Sequence, residues 1–287
     1  MIRSVDPVEQ IYHLVVRYGA MRVLGLFSAR ELLPRGSEVI ARTVRGLEHG
    51  TVLSPATPAA TAQLHDADRG EVIRLLTADD RHRLDQLRLR MRQEYAIAQR
   101  LVAEHRLQMQ LVDIEHLFGD ERIVLYFLAE KRIDFRELVR SLARELQCRI
   151  ELRQIGVRDE AKLLADYGDC GKPVCCNTHM TVMLPVTMRM AKLQKATLDP
   201  AKISGRCGRL KCCLRFEHEV YEELQAKLPA VGSRILTSKG QGRVLDHEIL
   251  AQRLLVEFED GRRLPVHLSE VLTSLGAHSD TAMEGRP

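Results

Sequence analysis

Cys170-Gly171-Lys172-Pro173-Val174-Cys175-Cys176 and Cys207-Gly208-Arg209-Leu210-Lys211-Cys212-Cys213 are two copies of one septet, and they hold six of the seven cysteines. Both copies follow the pattern C-G-[K/R]-x-x-C-C, with a basic residue at the same place. So unusual a spacing is hard to obtain twice by chance, and we therefore treat the six cysteines as one constellation. Cysteine spacing of this kind predicts that residues 157–229 form a metal-binding segment.

Thiol chemistry narrows what this constellation can bind. In a chain that looks intracellular, several thiols are more often metal ligands or redox groups than a disulfide framework. Adjacent cysteines point in different directions, so a mononuclear zinc ion would use one cysteine of each adjacent pair and leave the other idle. A polynuclear iron–sulfur cluster accepts ligands from more directions, and the glycine after each first cysteine leaves the backbone open.

We therefore predict an iron–sulfur cluster, with 4Fe-4S as the expected type and zinc as the alternative. The predicted ligands are Cys170, Cys175, Cys176, Cys207, Cys212 and Cys213. The four basic residues Lys172, Arg206, Arg209 and Lys211 are predicted to lower the pKa of these thiols and to offset cluster charge. Cys148 has no partner spacing and is interpreted as a core residue on a strand, and His179 is left out of the ligand set.

The residues that precede each septet carry a family resemblance. Ile150–Lys162 (IELRQIGVRDEAK) precedes the first septet, and Asp199–Gly205 (DPAKISG) precedes the second. With the septets, they resemble the bacterial YaaT family, also called RicT, whose conserved part is the PSP1 C-terminal domain. The resemblance extends over nearly the whole chain, although Tyr167 and Asp169 replace the small residues usual before the first cysteine.

This resemblance implies a cytoplasmic, non-enzymatic regulatory subunit that carries iron–sulfur through these cysteines. It also implies a complex with small helical partner subunits. In the family, that complex supports mRNA processing by a membrane-associated endoribonuclease and thereby developmental programmes. These implications are expectations for this chain.

Two other functional hypotheses remain open. A structural zinc protein that binds RNA or the ribosome would need only four of the thiols. A thiol oxidoreductase is less favoured, because a vicinal disulfide is strained and a C-x-x-C motif is absent. The sequence has no Ser/His/Asp arrangement, P-loop or G-x-G-x-x-G motif, so we predict no catalytic residues.

The composition restricts the partners and the location. A net charge of +4 over 287 residues does not indicate a nucleic-acid binder by bulk charge, so RNA contacts would be weak and local. The absence of Trp argues against a stacking platform for single strands. No secretory signal and no membrane-spanning run are visible, so we expect a cytoplasmic protein.

The periodic patterns predict an α+β protein. Residues 1–53 are expected to form a β-rich domain with strands at Ile11–Arg17, Arg22–Phe27 and Glu38–Arg45 and turns at Arg45-Gly46 and His49-Gly50. Residues 54–70 are expected to be a linker.

Residues 71–156 predict a ferredoxin-like βαββαβ unit. Its predicted elements are a strand at Val72–Leu76, a helix capped by Thr77 and reaching about Arg106, strands at Met109–Glu115 and Ile123–Leu128, a helix starting near Asp134 and a strand at Arg149–Ile155. The first helix carries many arginines, which we interpret as a solvated face with RNA backbone contact as the lesser alternative.

Residues 230–272 are expected to form a small SH3-like barrel, and residues 273–287 a disordered tail. Its predicted strands are Arg234–Thr237, Gly242–Leu245, Leu254–Phe258 and Arg263–Leu268, with a turn at Glu259-Asp260-Gly261. Helices are predicted at Val186–Ala196, between the septets, and at Glu217–Lys227.

Overall fold

The computed structural model describes residues 10–62, 64, 67–164, 167–180, 182–196 and 199–275. It is an α+β protein, as predicted, and the chain divides into two compact units. The first unit comprises residues 1–183 and 206–208, and the second comprises residues 184–205 and 209–287.

A closed five-stranded barrel begins the first unit, with strand order β1-β2-β5-β3-β4. Alternating side chains such as Leu14, Val16 and Phe27 fill its interior, so the predicted β-rich N-terminal region is confirmed. The strands are β1 (Tyr12–Tyr18), β2 (Val23–Ala29), β3 (Glu38–Arg42), β4 (Leu47–Pro55) and β5 (Asp68–Leu75).

The structure corrects one predicted turn in this region and adds a helix to the predicted linker. His49-Gly50 is not a turn but part of β4, where Gly50 lies so close to β1 that a Cβ would be 2.7 Å from the Cγ1 of Val16. The predicted linker contains a short helix, α1 (Pro58–Thr61), whose N-cap Thr57 accepts a hydrogen bond from the Ala60 amide. Residues 63, 65 and 66 of that stretch lie outside the described residues.

The long helix α2 (Ala78–Glu104) starts and ends close to the predicted positions. Thr77 and Asp80 form a reciprocal capping box, in which each side chain accepts a hydrogen bond from the other residue's amide. Asp80 also accepts a bidentate contact from Arg74, and this hydrogen bonding by Arg74 holds the pKa of the carboxyl below its usual range. The start of α2 is therefore fixed by residues adjacent in sequence.

A three-stranded sheet follows, with order β6-β7-β8 and β7 parallel to β8. Its elements are β6 (Gln110–His116), β7 (Ile123–Leu128), α3 (Arg136–Leu146) and β8 (Ile150–Gln154). Helices α2 and α3 bury Leu101, Leu138 and Leu142 against it.

The predicted first strand of the ferredoxin-like unit does not join the β6-β7-β8 sheet. The described residues therefore do not form a single sheet from the predicted βαββαβ unit. That strand is β5, which closes the barrel by pairing with β2 in parallel and with β3 antiparallel. Only Val72 of β5 is buried, whereas Ile73 and Leu75 are exposed. A strand with one apolar face suits a barrel wall, because only its inner face is buried. A central strand covered by helices on both sides needs two apolar faces.

A buried ionic cluster joins the barrel to the sheet within the first unit. The Nε of Arg45 donates to the Oε1 of Glu48 at 3.1 Å, and its Nη1 lies 2.9 Å from the Oε2 of Glu115 on β6. The hydroxyl of Tyr126 on β7 donates to the same Glu115 oxygen at 2.7 Å, and the Ala20 amide donates to the other at 2.8 Å. Burial raises the pKa of Glu48 despite its contact with Arg45.

The first unit ends with α4 (Val157–Leu164) and α5 (Cys175–Thr178), and the described residues of the second unit form four short α-helices and one sheet. The helices are α6 (Met188–Leu193), α7 (Pro200–Ile203), α8 (Cys213–Phe216) and α9 (His218–Ala226). The antiparallel sheet has order β12-β11-β10-β9-β13, and its strands are β9 (Arg234–Thr237), β10 (Gly240–Glu248), β11 (Arg253–Phe258), β12 (Arg263–His267) and β13 (Val271–Leu275).

The strand β13 was not predicted, since the tail was expected to begin at residue 273. It pairs with β9, so the sheet has one strand more than the pattern indicated. Residues 276–287 lie outside the described residues. None of the helices in the described ranges has the length and apolar character needed to cross a membrane.

Replacing Arg45 should destabilise the first unit strongly. Arg45→Met leaves Glu48 and Glu115 buried without their shared cation, a change that typically costs about 3–5 kcal/mol. Urea unfolding followed by circular dichroism measures the loss. Arg136→Met, which removes an exposed ion pair with Asp134, is the control and should leave the unfolding free energy nearly unchanged. Equal losses in both variants would mean that the cluster contributes no more than a surface pair.

Candidate metal centre

The first septet begins on a tight hairpin. A β-bridge joins Tyr167 and Pro173, and the Gly168 amide donates to the Lys172 carbonyl at 2.8 Å. Cys170 lies in the turn between them, and Gly171 follows it with a φ of +72° that L side chains rarely adopt. The glycine is therefore required by the backbone.

The second septet repeats this local structure. The bridge joins Ser204 and Leu210, the Gly205 amide donates to the Arg209 carbonyl at 2.8 Å, and Gly208 has the same φ of +72°. In each copy a single helical turn, α5 or α8, begins at one of the two adjacent cysteines. The repeated sequence is thus also a repeat of structure, and we call each copy a cysteine hairpin, residues 167–178 and 204–216.

The structure distributes the predicted ligands over two units. Cys170, Cys175, Cys176 and Cys207 belong to the first unit, while Cys212 and Cys213 belong to the second. Cys170 is exposed and the other five are half-buried, all as reduced thiols. No three His, Cys, Asp or Glu side chains within the described ranges are grouped closely enough to hold a metal ion. The six-cysteine ligand set therefore stays a prediction.

The donor chemistry of the two cysteine hairpins fits a thiolate-bound group. Each hairpin supplies three thiols, and thiolate ligands suit iron–sulfur clusters and zinc. A Cβ at Gly171 or Gly208 would meet no atom within 4 Å, so the space beside each first cysteine is open.

Two cations of the first unit lie beside the first cysteine hairpin, Arg22 from a distant turn and Lys162 from the preceding helix, and the sequence analysis assigned neither of them to the site. The Nη1 of Arg22, in the β1–β2 turn, is 3.5 Å from the Asn177 carbonyl on α5. The pKa of Lys162 on α4 is lowered by burial and by Arg22, while Asp159 and Cys176 act in the opposite direction. Lys162 stands in the stretch that carries the family resemblance, but nothing in the sequence singles out Arg22.

The expectation that flanking basic residues lower the thiol pKa values is wrong for Cys213. Burial raises the pKa of this thiol, and the neighbouring Cys212 and Glu217 raise it further against the smaller effect of Lys211. Lys211 instead donates from its Nζ to the Lys202 carbonyl at 2.7 Å. Desolvation therefore outweighs charge at this cysteine.

The two residues left out of the ligand set have local contacts. The Cys148 thiol is half-buried against the core of α2, α3 and the sheet, and its Sγ lies 3.5 Å from the Asp120 carbonyl. The sequence suggested that Cys148 lies on a strand, but it stands two residues before β8. The Nδ1 of His179 is 3.0 Å from the Thr178 hydroxyl.

Comparison with known proteins gives two family matches and two relatives. Residues 70–155 match the PSP1 C-terminal conserved region, and residues 185–228, which include the second septet, match the third domain of PSP1-like proteins. The Stage 0 sporulation protein YaaT of Bacillus subtilis is 42% identical over 247 residues, which are 84% of this chain and 87% of that protein.

The second relative covers much less. The uncharacterized protein PB7E8.02 of Schizosaccharomyces pombe is 34% identical over 80 residues, which are 27% of this chain and 11% of that protein. No solved structure matches the chain.

The raised pKa of Cys213 predicts slow alkylation near neutral pH, because the thiolate is the nucleophile. The rate should rise as the pH increases toward that pKa. Glu217→Gln removes one of the charges that raise the pKa, so Cys213 should react about twofold faster with iodoacetamide. Peptide mass spectrometry measures the rate for each cysteine. Glu223→Gln, an exposed position on α9, is the matched control, and equal rates in both variants would contradict this assignment.

Proposed function

Because this chain belongs to the YaaT (RicT) family, whose conserved part is the PSP1 C-terminal region, we propose that it is a regulatory protein of sporulation or related development. The match to the Bacillus subtilis protein extends over most of both chains, which supports a shared role. This regulatory role rests on kinship alone.

The finer proposal is that the two cysteine hairpins carry an iron–sulfur cluster, of the 4Fe-4S type, in a non-enzymatic cytoplasmic subunit. The observation that carries it is the repeated hairpin, in which glycine at the same φ follows the first cysteine of each copy. Such a group supplies metal–thiolate bonds that can hold the two hairpins in one arrangement. The chain's own contribution is to present thiols on short, glycine-closed turns.

The proposed action is through binding and not catalysis. We expect the protein to join small helical partner subunits and an endoribonuclease in a complex that affects mRNA processing, as the family resemblance implies. No nucleophile–base motif was found in the sequence, which supports a non-enzymatic role. The five-stranded antiparallel sheet of the second unit supports the assignment of residues 230–272 as an SH3-like docking module.

Protein isolated without oxygen should be brown and should contain iron and acid-labile sulfide. Cys170→Ser and Cys207→Ser should each remove the colour and the sulfide, because each takes a thiolate from one cysteine hairpin. Cys148→Ser, whose thiol packs against the core, is the control and should keep both. Elemental analysis and absorption spectra decide the outcome. Stoichiometric zinc without labile sulfide would refute the cluster and favour the structural zinc alternative.

Loss of the metal group should loosen residues 167–216 and weaken partner binding. Metal–thiolate bonds contribute directly to folding when a segment has few other contacts. Hydrogen exchange of holo and apo protein, with binding to the candidate partner subunits measured in parallel, tests this link. The barrel strands β1–β4 serve as the internal control. Equal protection of residues 167–216 in both forms, together with unchanged affinity, would mean that the metal group does not organise the interface.

A further inference from the structure

Four neighbouring strands of the second unit each present one arginine on the same face of the sheet. Residues that alternate with them, such as Ile235, Val244 and Leu254, fill the core on the opposite face. The arginines are Arg234 on β9, Arg243 on β10, Arg253 on β11 and Arg263 on β12, and all four are exposed. We call this surface the arginine face.

Strand register places two of these arginines directly opposite each other. Arg234 pairs with Arg243 in the β9–β10 ladder, a position at which like charges destabilise a sheet. Neither forms an ion pair with any residue in the described part of the chain, although neighbouring Lys239 and Arg263 do. Two guanidinium groups are therefore held side by side here, and neither is in an ion pair among the described residues.

Arg253 lies away from the other three arginines, opposite Glu248. Arg234, Arg243 and Arg263 share one cross-strand row, and that row contains one carboxylate. Glu257 lies opposite Arg243 on one side and opposite Arg263 on the other. The Nε of Arg263 donates to the Oε1 of Glu257 at 2.9 Å. The cross-strand row from Arg234 to Arg263 thus contains three guanidinium groups and one carboxylate, and it keeps a net positive charge.

The arginines of α2 are arranged differently, since most of them contact a carboxylate. Asp120 alone accepts contacts from Arg83 at 2.6 Å and from Arg90 at 3.0 Å. Further pairs are Arg81 with Glu38, Arg88 with Asp85, and Arg100 with Glu104 and Glu145. The helix is therefore largely neutralised, which favours the sheet over α2 as the place for a polyanion.

The chemistry of the arginine face selects the ligand. Adjacent strands are about 4.8 Å apart, so the three guanidinium groups lie in one line, with Glu257 between two of them, and this line can follow the phosphates of one nucleic-acid strand. Guanidinium groups bind phosphate bidentately. Phe258 is the one Phe, Tyr or Trp on these five strands, and it is buried, so the face offers none of these rings for bases to stack on. An acidic protein would lack an aromatic anchor here, because the exposed large apolar residues on these strands are Leu236, Leu255 and Leu272.

We propose that the arginine face binds the phosphate backbone of single-stranded RNA without sequence preference. The choice of RNA over other polyanions rests on the proposed function. Because the contacts are to phosphates, affinity falls with salt and does not depend on the base sequence.

Fluorescence anisotropy of the full chain with a labelled, unstructured RNA of about twenty nucleotides tests the proposal. Arg234→Glu/Arg243→Glu should weaken binding by about tenfold or more at low salt. It should also make the slope of log K against log salt shallower by about 1.4, from about 0.7 for each lost phosphate contact. Arg136→Glu/Arg140→Glu on α3 gives the same change in net charge and should lower the affinity less than about twofold.

A second pair of variants separates a loss of RNA binding from a loss of folded protein. Glu257→Gln removes the carboxylate of the row and should tighten RNA binding. Arg234→Gln should weaken RNA binding while raising the melting temperature, since it relieves the repulsion with Arg243 and leaves the cross-strand pairing of Arg243 with Glu257 in place.

Wild-type affinity in Arg234→Glu/Arg243→Glu, or an equal loss in the α3 control, would overturn the proposal. Tighter binding of a labelled polyglutamate peptide than of the RNA would overturn it in favour of an acidic protein partner. Metal analysis of the same preparations separates this proposal from the proposed function. A zinc-loaded chain that binds RNA through the arginine face refutes only the cluster, and a brown chain with unaltered RNA binding in the variants refutes only the arginine face.

Discussion

The first unit depends on the placement of one cation between two acidic side chains that are far apart in sequence. Arg45 comes from the turn after β3, Glu48 from β4 and Glu115 from β6, which follows the long helix. Burying three charges is costly, and the cost is met only if each lone pair and each proton has a partner. Tyr126, Thr43 and the Ala20 amide complete these contacts, so barrel and sheet have little freedom to shift against each other.

The cysteine hairpins show how far a short sequence can determine its own structure. In both copies the glycine after the first cysteine takes the same left-handed conformation, and the hairpin closes with a hydrogen bond of the same length. The conformation follows from the residue itself, because glycine has no Cβ to oppose a positive φ. The hairpin conformation does not show whether the six thiols bind one group, since that is not encoded in either septet alone.

The number of arginines on an element does not by itself show whether that element is a positively charged surface. The helix α2 carries many arginines and would be the obvious basic surface, yet carboxylates at Glu38 and Asp120 neutralise much of it. The β9–β12 face carries fewer arginines but aligns Arg234 with Arg243. A repulsive pair that costs stability is easier to understand as part of a binding surface than as part of a scaffold.

The sequence by itself determined the local elements of this protein. Thr77 and Asp80 fixed the start of α2, the alternation in Arg234–Thr237 fixed β9, and the septet spacing identified the two cysteine hairpins as one repeat. Each of these signals is carried by residues within a few positions of one another. Helix capping, the alternation of side chains along a strand and backbone sterics all act over such short distances in sequence. Only the tertiary structure decided that β5 closes the barrel, that Arg45 meets Glu115 and that Arg22 reaches Asn177. These contacts join residues tens to more than a hundred positions apart, and a periodic pattern shows that a side chain is apolar or charged without showing which distant surface it will meet.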